Sequence, residues 1–432
     1  MPTPSQHQTI ENKSIFHGLP TYSAEDPSNQ NLTALITGAN GISGYHMVKV
    51  LSAAPASRWK KICCLSRSPP QDYFWEGLDR ERVEFLAGVD FLHDAGGEGV
   101  RGVLVEGGVE RVDCVFFFSY VQPKQKGGVG GMWKEADELA EVNARLLRNF
   151  MEGLRLANLK PKRFLLQTGA KHYGFHIGPA TNPSFESDPR VTLENSFYYP
   201  QEDLLFNFCK ATGAQWSVVR PSCIIGAVRD NTLNFWPGIA VYAAVQKYLG
   251  RPLQFPGGFT AWDKESCQST AMLNAYFEEW CVLTEQAANE AFNIQDGLNF
   301  TFSRLWPYLA DWYDMPWEPP SLNESKYGWA ASRTTFSLQE WSESQEVVDA
   351  WEVLSKRHGL RFDPFKDRAQ VFGITDSALL GGWPLSLSMR KARKFGFHGT
   401  VDSYESAFET IKALARMGVA VPMVRGEFRE DV

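Results

Sequence analysis

The chain has 432 residues, of which 44% are hydrophobic and 13% aromatic, with a formal net charge of −7. That length exceeds a single small core and calls for a large α/β domain with a second lobe. No basic block stands out, which argues against nucleic acid as a partner, and no apolar run is long enough to span a bilayer.

The seven cysteines are scattered without a Cys-x-x-Cys, and the eight histidines show no metal-ligand spacing. The expectation is reduced, buried thiols, no metal site and a cytoplasmic protein. The first residues lack the apolar core of a signal peptide. Residues 1–30 are polar and rich in Pro, Ser, Asn and Gln, as suits an N-terminal arm laid on the surface or partly disordered.

The first strand is the short apolar run Ala34, Leu35 and Ile36. It ends in Gly38-Ala39-Asn40-Gly41-Ile42-Ser43-Gly44, and an apolar-periodic helix with Met47, Val48 and Leu51 follows. Each glycine has its own task. Gly38 permits the tight turn, Gly41 lets a pyrophosphate approach the backbone, and Gly44 lets helix and strand pack closely. The helix start offers free N–H groups to phosphate. Gly38, Asn40, Gly41, Ile42 and Gly44 are therefore candidate cofactor contacts. The G-x-x-G-x-x-G spacing resembles that of extended short-chain dehydrogenase/reductases.

A second strand, 61–65, ends in Ser66, Arg67 and Ser68. An acidic residue at this point selects the free ribose hydroxyl of NAD, whereas an arginine suits the 2′-phosphate of NADP, so Arg67 favours NADP(H). A third strand, 82–86, is followed by Asp90, to which two roles are open: accepting from the adenine amino group, or capping a turn. The wholly apolar 113–119 reads as a strand buried in a parallel sheet. Ser119 and Tyr120, at its exit, should lie beside the nicotinamide. Residues 127–131 read as a flexible connection and 133–157 as a long helix, whose stripe of Leu139, Val142, Leu146, Phe150 and Leu154 is core.

The fifth strand, 163–167, runs into Thr168-Gly169-Ala170-Lys171-His172-Tyr173-Gly174. Ser196 to Asp203 open a helix reaching about Thr212, with Pro200 and acidic residues in its first turns. A sixth strand, 216–221, stops at Pro221, with Cys223 and Ile224 just beyond. Thr168, Pro221, Cys223 and Ile224 complete the expected cofactor wall. Past Gly226 the alternation weakens. Residues 241–245 look helical, 255–259 form a loop, 271–289 form a helix returning to the sheet, and 291–294 form a further strand. From Phe302 onward the chain is helical and rich in Trp and Pro.

The expected fold is thus a Rossmann-type doubly wound parallel sheet with a smaller, mostly helical C-terminal substrate lobe. The expected boundaries are 31–225 for the nucleotide domain, completed by about 264–300, with 226–263 and 301–432 forming the lobe.

In short-chain dehydrogenases, which the glycine spacing resembles, a Tyr hydroxyl serves the substrate oxygen, and a nearby Lys holds the nicotinamide ribose and lowers the Tyr pKa. The usual spacing, Tyr-x-x-x-Lys on one helix, is absent: Tyr198 is followed four places on by Glu202, and Tyr199 by Asp203. The candidate lysine is Lys171, just past the fifth strand.

Gln167-Thr168-Gly169-Ala170-Lys171-His172-Tyr173-Gly174, together with Phe197-Tyr198-Tyr199 and Glu202-Asp203, resembles the progesterone 5β-reductase/iridoid synthase-like (PRISE) family. The likeness continues through 216–221, 241–244, 261–263, 290–293 and Phe395-Gly396-Phe397, so only the N-terminal arm lies outside it. The resemblance implies an ene-reductase that uses NADPH to reduce activated C=C bonds of enones and enals, with hydride reaching the β-carbon. It implies that Tyr198 binds the enolate oxygen, that Lys171 holds the ribose, and that Arg67 faces the 2′-phosphate. The family's second arginine at that point is Ser68 here. Its tryptophan beside the nicotinamide is Tyr120, its asparagine after the Arg-Pro pair is Cys223, and 174–196 differs in length and content.

The expected substrate is a small apolar carbonyl compound in a pocket near Tyr120 and Phe175. Phe397 is either a pocket wall or core. The expected assembly is a monomer or homodimer. Ordinary carbonyl reduction at the same site, and a non-catalytic NADP(H)-binding scaffold, stay open as alternatives.

Overall fold

The N-terminal arm folds as a hairpin, β1 (Ile10–Lys13) and β2 (Phe16–Pro20), bridged at His17 to Thr400. Its Phe16 and Leu19 are buried. The computed structural model describes residues 9–122, 136–229, 233–321, 334–380 and 382–430. The connection expected at 127–131 lies outside the described residues.

The apolar runs that follow become β3 (Leu32–Thr37), β4 (Trp59–Ser66), β5 (Val83–Ala87), β6 (Cys114–Phe117), β7 (Arg163–Gln167) and β8 (Gln215–Pro221). With a late strand, β12 (Glu290–Ile294), they form one seven-stranded sheet in the order β12-β8-β7-β6-β3-β4-β5, parallel throughout. Helices α1 (Ile42–Ala53), α2 (Glu98–Glu106), α3 (Ala136–Leu156), α4 (Tyr198–Thr212), α5 (Trp236–Tyr248), α6 (Phe259–Asp263) and α7 (Ala271–Leu283) follow in chain order.

Successive strand residues face opposite sides. Ala34, Ile36, Ile62, Cys64, Phe116, Leu165 and Val219 pack with α1 and α7 on one face. Leu35, Cys63, Leu65, Val115, Phe117, Phe164 and Val218 pack with α2, α3 and α4 on the other. Burial on both faces explains why these strands read as unbroken apolar runs.

The chain leaves this sheet at Ser222. β9 (Cys223–Ile225) pairs with β11 (Ser266–Thr270), and β11 with β13 (Asn299–Phe300), in a separate three-stranded sheet. The boundaries expected at 225 and 264 therefore fall within or beside one small sheet. β10 (Leu253–Gln254) and β14 (Trp317–Glu318) pair nearby. The segment expected as a loop at 255–259 ends where α6 begins.

The C-terminal lobe packs α5 and α8 (Phe302–Trp312) with later helices around Trp236, Tyr242, Trp306, Trp312, Trp351 and Phe408. Phe397 is not a pocket wall. It is fully buried among Phe277 and Trp280 of α7, with ring centroids 4.7 and 5.7 Å away, so its place is core. Among the described residues no helix is long and apolar enough to cross a membrane.

Candidate active site

Because every strand of the large sheet points the same way, the loops after β3 to β8 share one edge. At its middle lies the glycine turn. Gly38 adopts φ +64°, and the Gly41 N–H bonds back to the Gly38 carbonyl at 2.8 Å. A methyl on Gly44 would sit 2.3 Å from that same carbonyl oxygen, which is the close packing the spacing anticipated. Gly41 caps α1 without a side chain, leaving the first-turn N–H groups to a ligand. Ser43, in that turn, accepts from Gln167 Nε2 of β7 at 2.8 Å and so ties the turn to the neighbouring edge.

Beyond β4, Asn40 Nδ2 donates to the Ser68 carbonyl at 2.9 Å, drawing the glycine turn onto the Ser66–Ser68 loop. Arg67 is largely exposed, with Nη1 3.9 Å from Asp90 Oδ2. Asp90 Oδ1 accepts the Leu92 N–H at 3.0 Å, the capping role, while Oδ2 also meets His93 Nδ1 at 3.1 Å. Burial pushes the Asp90 carboxyl upward, but these hydrogen bonds and the nearby charges prevail and hold it below its ordinary value.

After β6, the Phe118 and Ser119 N–H groups both reach Thr37 Oγ1, at 3.2 and 3.3 Å. Asn143 of α3 binds the Val121 N–H and carbonyl, each at 2.9 Å. Tyr120 is thereby held between two anchored points. Its ring packs on Phe197 at 5.3 Å, and its hydroxyl donates to Gln122 Oε1. Burial raises the Tyr120 pKa, and Tyr198 nearby adds to the rise.

The central feature is where Tyr198 lands. It opens α4, its ring 4.3 Å from that of Phe197, and its hydroxyl lies over the bare Cα of Gly169. A methyl on Gly169 would stand 2.7 Å from that hydroxyl and 3.5 Å from the Pro221 carbonyl. Tyr198 and the ends of β7 and β8 thus converge on one point.

Two residues on, Lys171 lies in the short turn Ala170–Tyr173 and is only 4% exposed. Burial lowers its pKa to about 8, with Glu194 pulling the other way. Burial also raises the Tyr198 pKa, against the expected lowering by a lysine: the hydroxyl, walled by protein, stays protonated.

Composition alone did not disclose the support beneath this pair. Glu202 is buried, with Oε1 3.1 Å from Arg220 Nη2 and 3.4 Å from His172 Nδ1, and Oε2 3.1 Å from Arg190 Nη2. Burial works against its charge, yet His172 and Arg220 hold its carboxyl at about 2. The sequence signal was the carboxylate standing where a lysine belongs. Gly169 carried no signal beyond being a glycine after a strand.

Past Pro221, Ser222 bonds across to β11 through its N–H (2.8 Å to Ser269 Oγ) and hydroxyl (2.6 Å to the Cys267 carbonyl). Cys223 is exposed, yet protein around its thiol raises the pKa against the opposing influence of Lys264. Phe175 is half-buried beside Ala170, Tyr173, Leu385 and Leu387, and its carbonyl accepts from Trp383 Nε1 at 2.9 Å. Ile224 continues β9 next to Cys223. Among the described residues no cluster of His, Cys, Asp or Glu could hold a metal ion.

Comparison with known proteins gives a match to the PRISE-like Rossmann-fold domain over residues 34–399. The short chain dehydrogenase gsfE of Penicillium aethiopicum is 32% identical, over 90% of this chain and 98% of its own. The (S)-8-oxocitronellyl enol synthase CYC2 of Camptotheca acuminata is 33% identical, over 90% and 93%. The 3-oxo-Delta(4,5)-steroid 5-beta-reductase of Arabidopsis thaliana is 29% identical, over 88% and 92%. Among solved structures, a putative epimerase from Burkholderia cenocepacia superposes with a TM-score of 0.58 at 15% identity, covering 90% of this chain and 99% of its own; this is a likeness of fold.

Two outcomes follow from the geometry. Gly169→Ala should displace the Tyr198 hydroxyl and lower turnover by about 10²-fold, while leaving cofactor affinity, read by fluorescence titration, within about twofold of wild type. Lys171 is charged below about pH 8 and neutral above it. The kcat/KM profile, which reports the free enzyme, should therefore fall as pH rises through about 8, and Lys171→Arg should remove that limb because arginine stays charged.

Proposed function

The chain belongs to the PRISE-like Rossmann-fold family and is an oxidoreductase of the short-chain dehydrogenase/reductase type; from that premise we propose that it reduces the activated C=C bond of a small apolar enone or enal with NADPH. The observation that carries this reading is the buried Tyr198 hydroxyl seated on Gly169 at the carboxyl edge, with Lys171 two residues past that glycine. Two relatives support it through their names: the Arabidopsis protein is a reductase of a 3-oxo-Δ4,5 steroid, itself an enone, and the Camptotheca protein is an enol synthase.

The residues present fit a dinucleotide. The glycine turn and the α1 start would hold the pyrophosphate, Arg67 the 2′-phosphate, and Lys171 the nicotinamide ribose. When bound, NADPH supplies the hydride that adds to the β-carbon. Tyr198 would donate a hydrogen bond to the carbonyl oxygen as it becomes an enolate, stabilising charge only where it develops. Burial serves this role, because a hydroxyl that resists ionisation remains a donor. Tyr120 and Phe197 would face the substrate with aromatic surface, and Cys223 and Phe175 would bound the far side.

The test is to incubate the protein with NADPH and a panel of linear enals and cyclic enones, identifying products by mass spectrometry and NMR. A saturated carbonyl product is expected. An allylic alcohol would replace conjugate reduction by ordinary carbonyl reduction, and tight NADPH binding without consumption would favour a scaffold.

Tyr198→Phe should cost about 10²–10³ in kcat with NADPH affinity unchanged; undiminished turnover would remove Tyr198 from the chemistry. Arg67→Ala should weaken NADPH by about 1.5–3 kcal/mol and NADH far less, as measured by titration with each. Equal losses for the two would refute the 2′-phosphate contact.

A further inference from the structure

We infer that Glu202 is a positioning residue: from the helix place four residues after Tyr198 it locks the turn that carries Lys171, so that contacts between segments do what one helix does when both residues lie on it. The inference rests on the proposed roles of Tyr198 and Lys171.

Residues four apart share a face of a helix, so Glu202 lies one turn further along α4 on the Tyr198 side. From there its carboxylate approaches the ring of His172, which adjoins Lys171, at 3.4 Å. The neighbouring Tyr199 holds the same residue by its backbone, donating to the His172 carbonyl at 2.7 Å. His172 is thus held by a hydrogen bond at its carbonyl and approached by a carboxylate at its ring, both times from α4.

The other end of the turn is held through the same carboxylate. Arg220, 3.1 Å from Glu202 Oε1, donates from Nη1 to the Tyr173 hydroxyl at 3.3 Å, and Tyr173 donates to Asn293 Oδ1 of β12 at 2.5 Å. Lys171 is therefore followed directly by two residues, His172 and Tyr173, that both lead back to Glu202, the first directly and the second through Arg220.

Arg190 closes the arrangement from outside. It binds Glu202 Oε2 at 3.1 Å and Asp203 Oδ1 at 2.8 Å, and its guanidinium lies 5.1 Å from the centre of the Tyr199 ring. Its neighbour Val191 donates its N–H to the Tyr199 hydroxyl at 2.8 Å. Arg190 belongs to 174–196, the stretch that differs from the resembling family and leads away from Phe175. The pocket-side segment and the catalytic pair consequently hang on one carboxylate. A carboxylate this buried is retained at a desolvation cost that its cationic partners offset.

The test uses the full chain. Lysines are reductively ¹³C-methylated, and Lys171 is identified by the resonance lost in Lys171→Arg. Its titration in the cofactor-free protein is then followed by NMR. In Glu202→Gln the turn should loosen and admit water, and the Lys171 titration should move up by a unit or more. kcat should fall by about tenfold or more, with NADPH affinity within about threefold of wild type.

Where Glu202→Gln fails to fold, Tyr199→Phe and Arg190→Met each remove one outer grip while leaving the Glu202–Arg220 pair, and should move both readouts in the same direction by less. A folded Glu202→Gln whose Lys171 titrates as in wild type would overturn the inference, as would a shifted titration with unchanged kcat. Should wild type reduce none of the enones, the proposed reaction fails, while the lysine titration still decides whether Glu202 sets the turn.

Discussion

Burial of both faces of one parallel sheet constrains everything else in this molecule. Polar chemistry cannot be placed on a face packed against α1 and α7 or against α3 and α4, because an unpaired polar group there is costly. It is confined to the carboxyl edge, where consecutive strands deliver the glycine turn, Arg67, Tyr120, Lys171 and Pro221 to one rim. Ordering that rim takes cross-ties between loops. Gln167 to Ser43, Asn40 to Ser68 and Asn143 to Val121 are such ties, each joining residues far apart in the chain.

Within the rim, two opposite demands on polar groups are met by the same low-dielectric surroundings. Tyr198 is walled in and stays a neutral donor. Glu202 is buried as well, yet stays charged because Arg220, Arg190 and His172 converge on it. The difference lies in the partners supplied and not in depth. Lys171 falls between, its pKa drawn down to about 8 by burial without being neutralised at neutral pH.

The C-terminal half builds its own aromatic core and a second small sheet beside the main one. After β8 the chain leaves the main sheet and builds a second small one that begins at Cys223. Ser184, from the segment after Lys171, exchanges backbone hydrogen bonds of 2.9 Å with Ser386 and Ser388. Residues from both halves thereby pack around Ala170 and Tyr173, the two ends of the turn that holds Lys171 and His172. The aromatic supply went mainly to the lobe's own core, with Trp306, Trp312 and Tyr242 fully buried.

The sequence by itself determined the parallel sheet, the glycine turn and, as candidates, Tyr198 and Lys171. Those features are local: an apolar run, a glycine spacing and a motif each carry their meaning within a few residues. Only the tertiary structure decided that Phe397 is core, that Gly169 must lack a side chain beneath Tyr198, and that Glu202 ties α4 to the turn of Lys171. It also reversed the direction of the Tyr198 shift, since burial depends on every segment packed around the ring. These properties arise between residues such as Tyr199 and His172, 27 apart in sequence, and no local pattern encodes a distance that the fold alone sets.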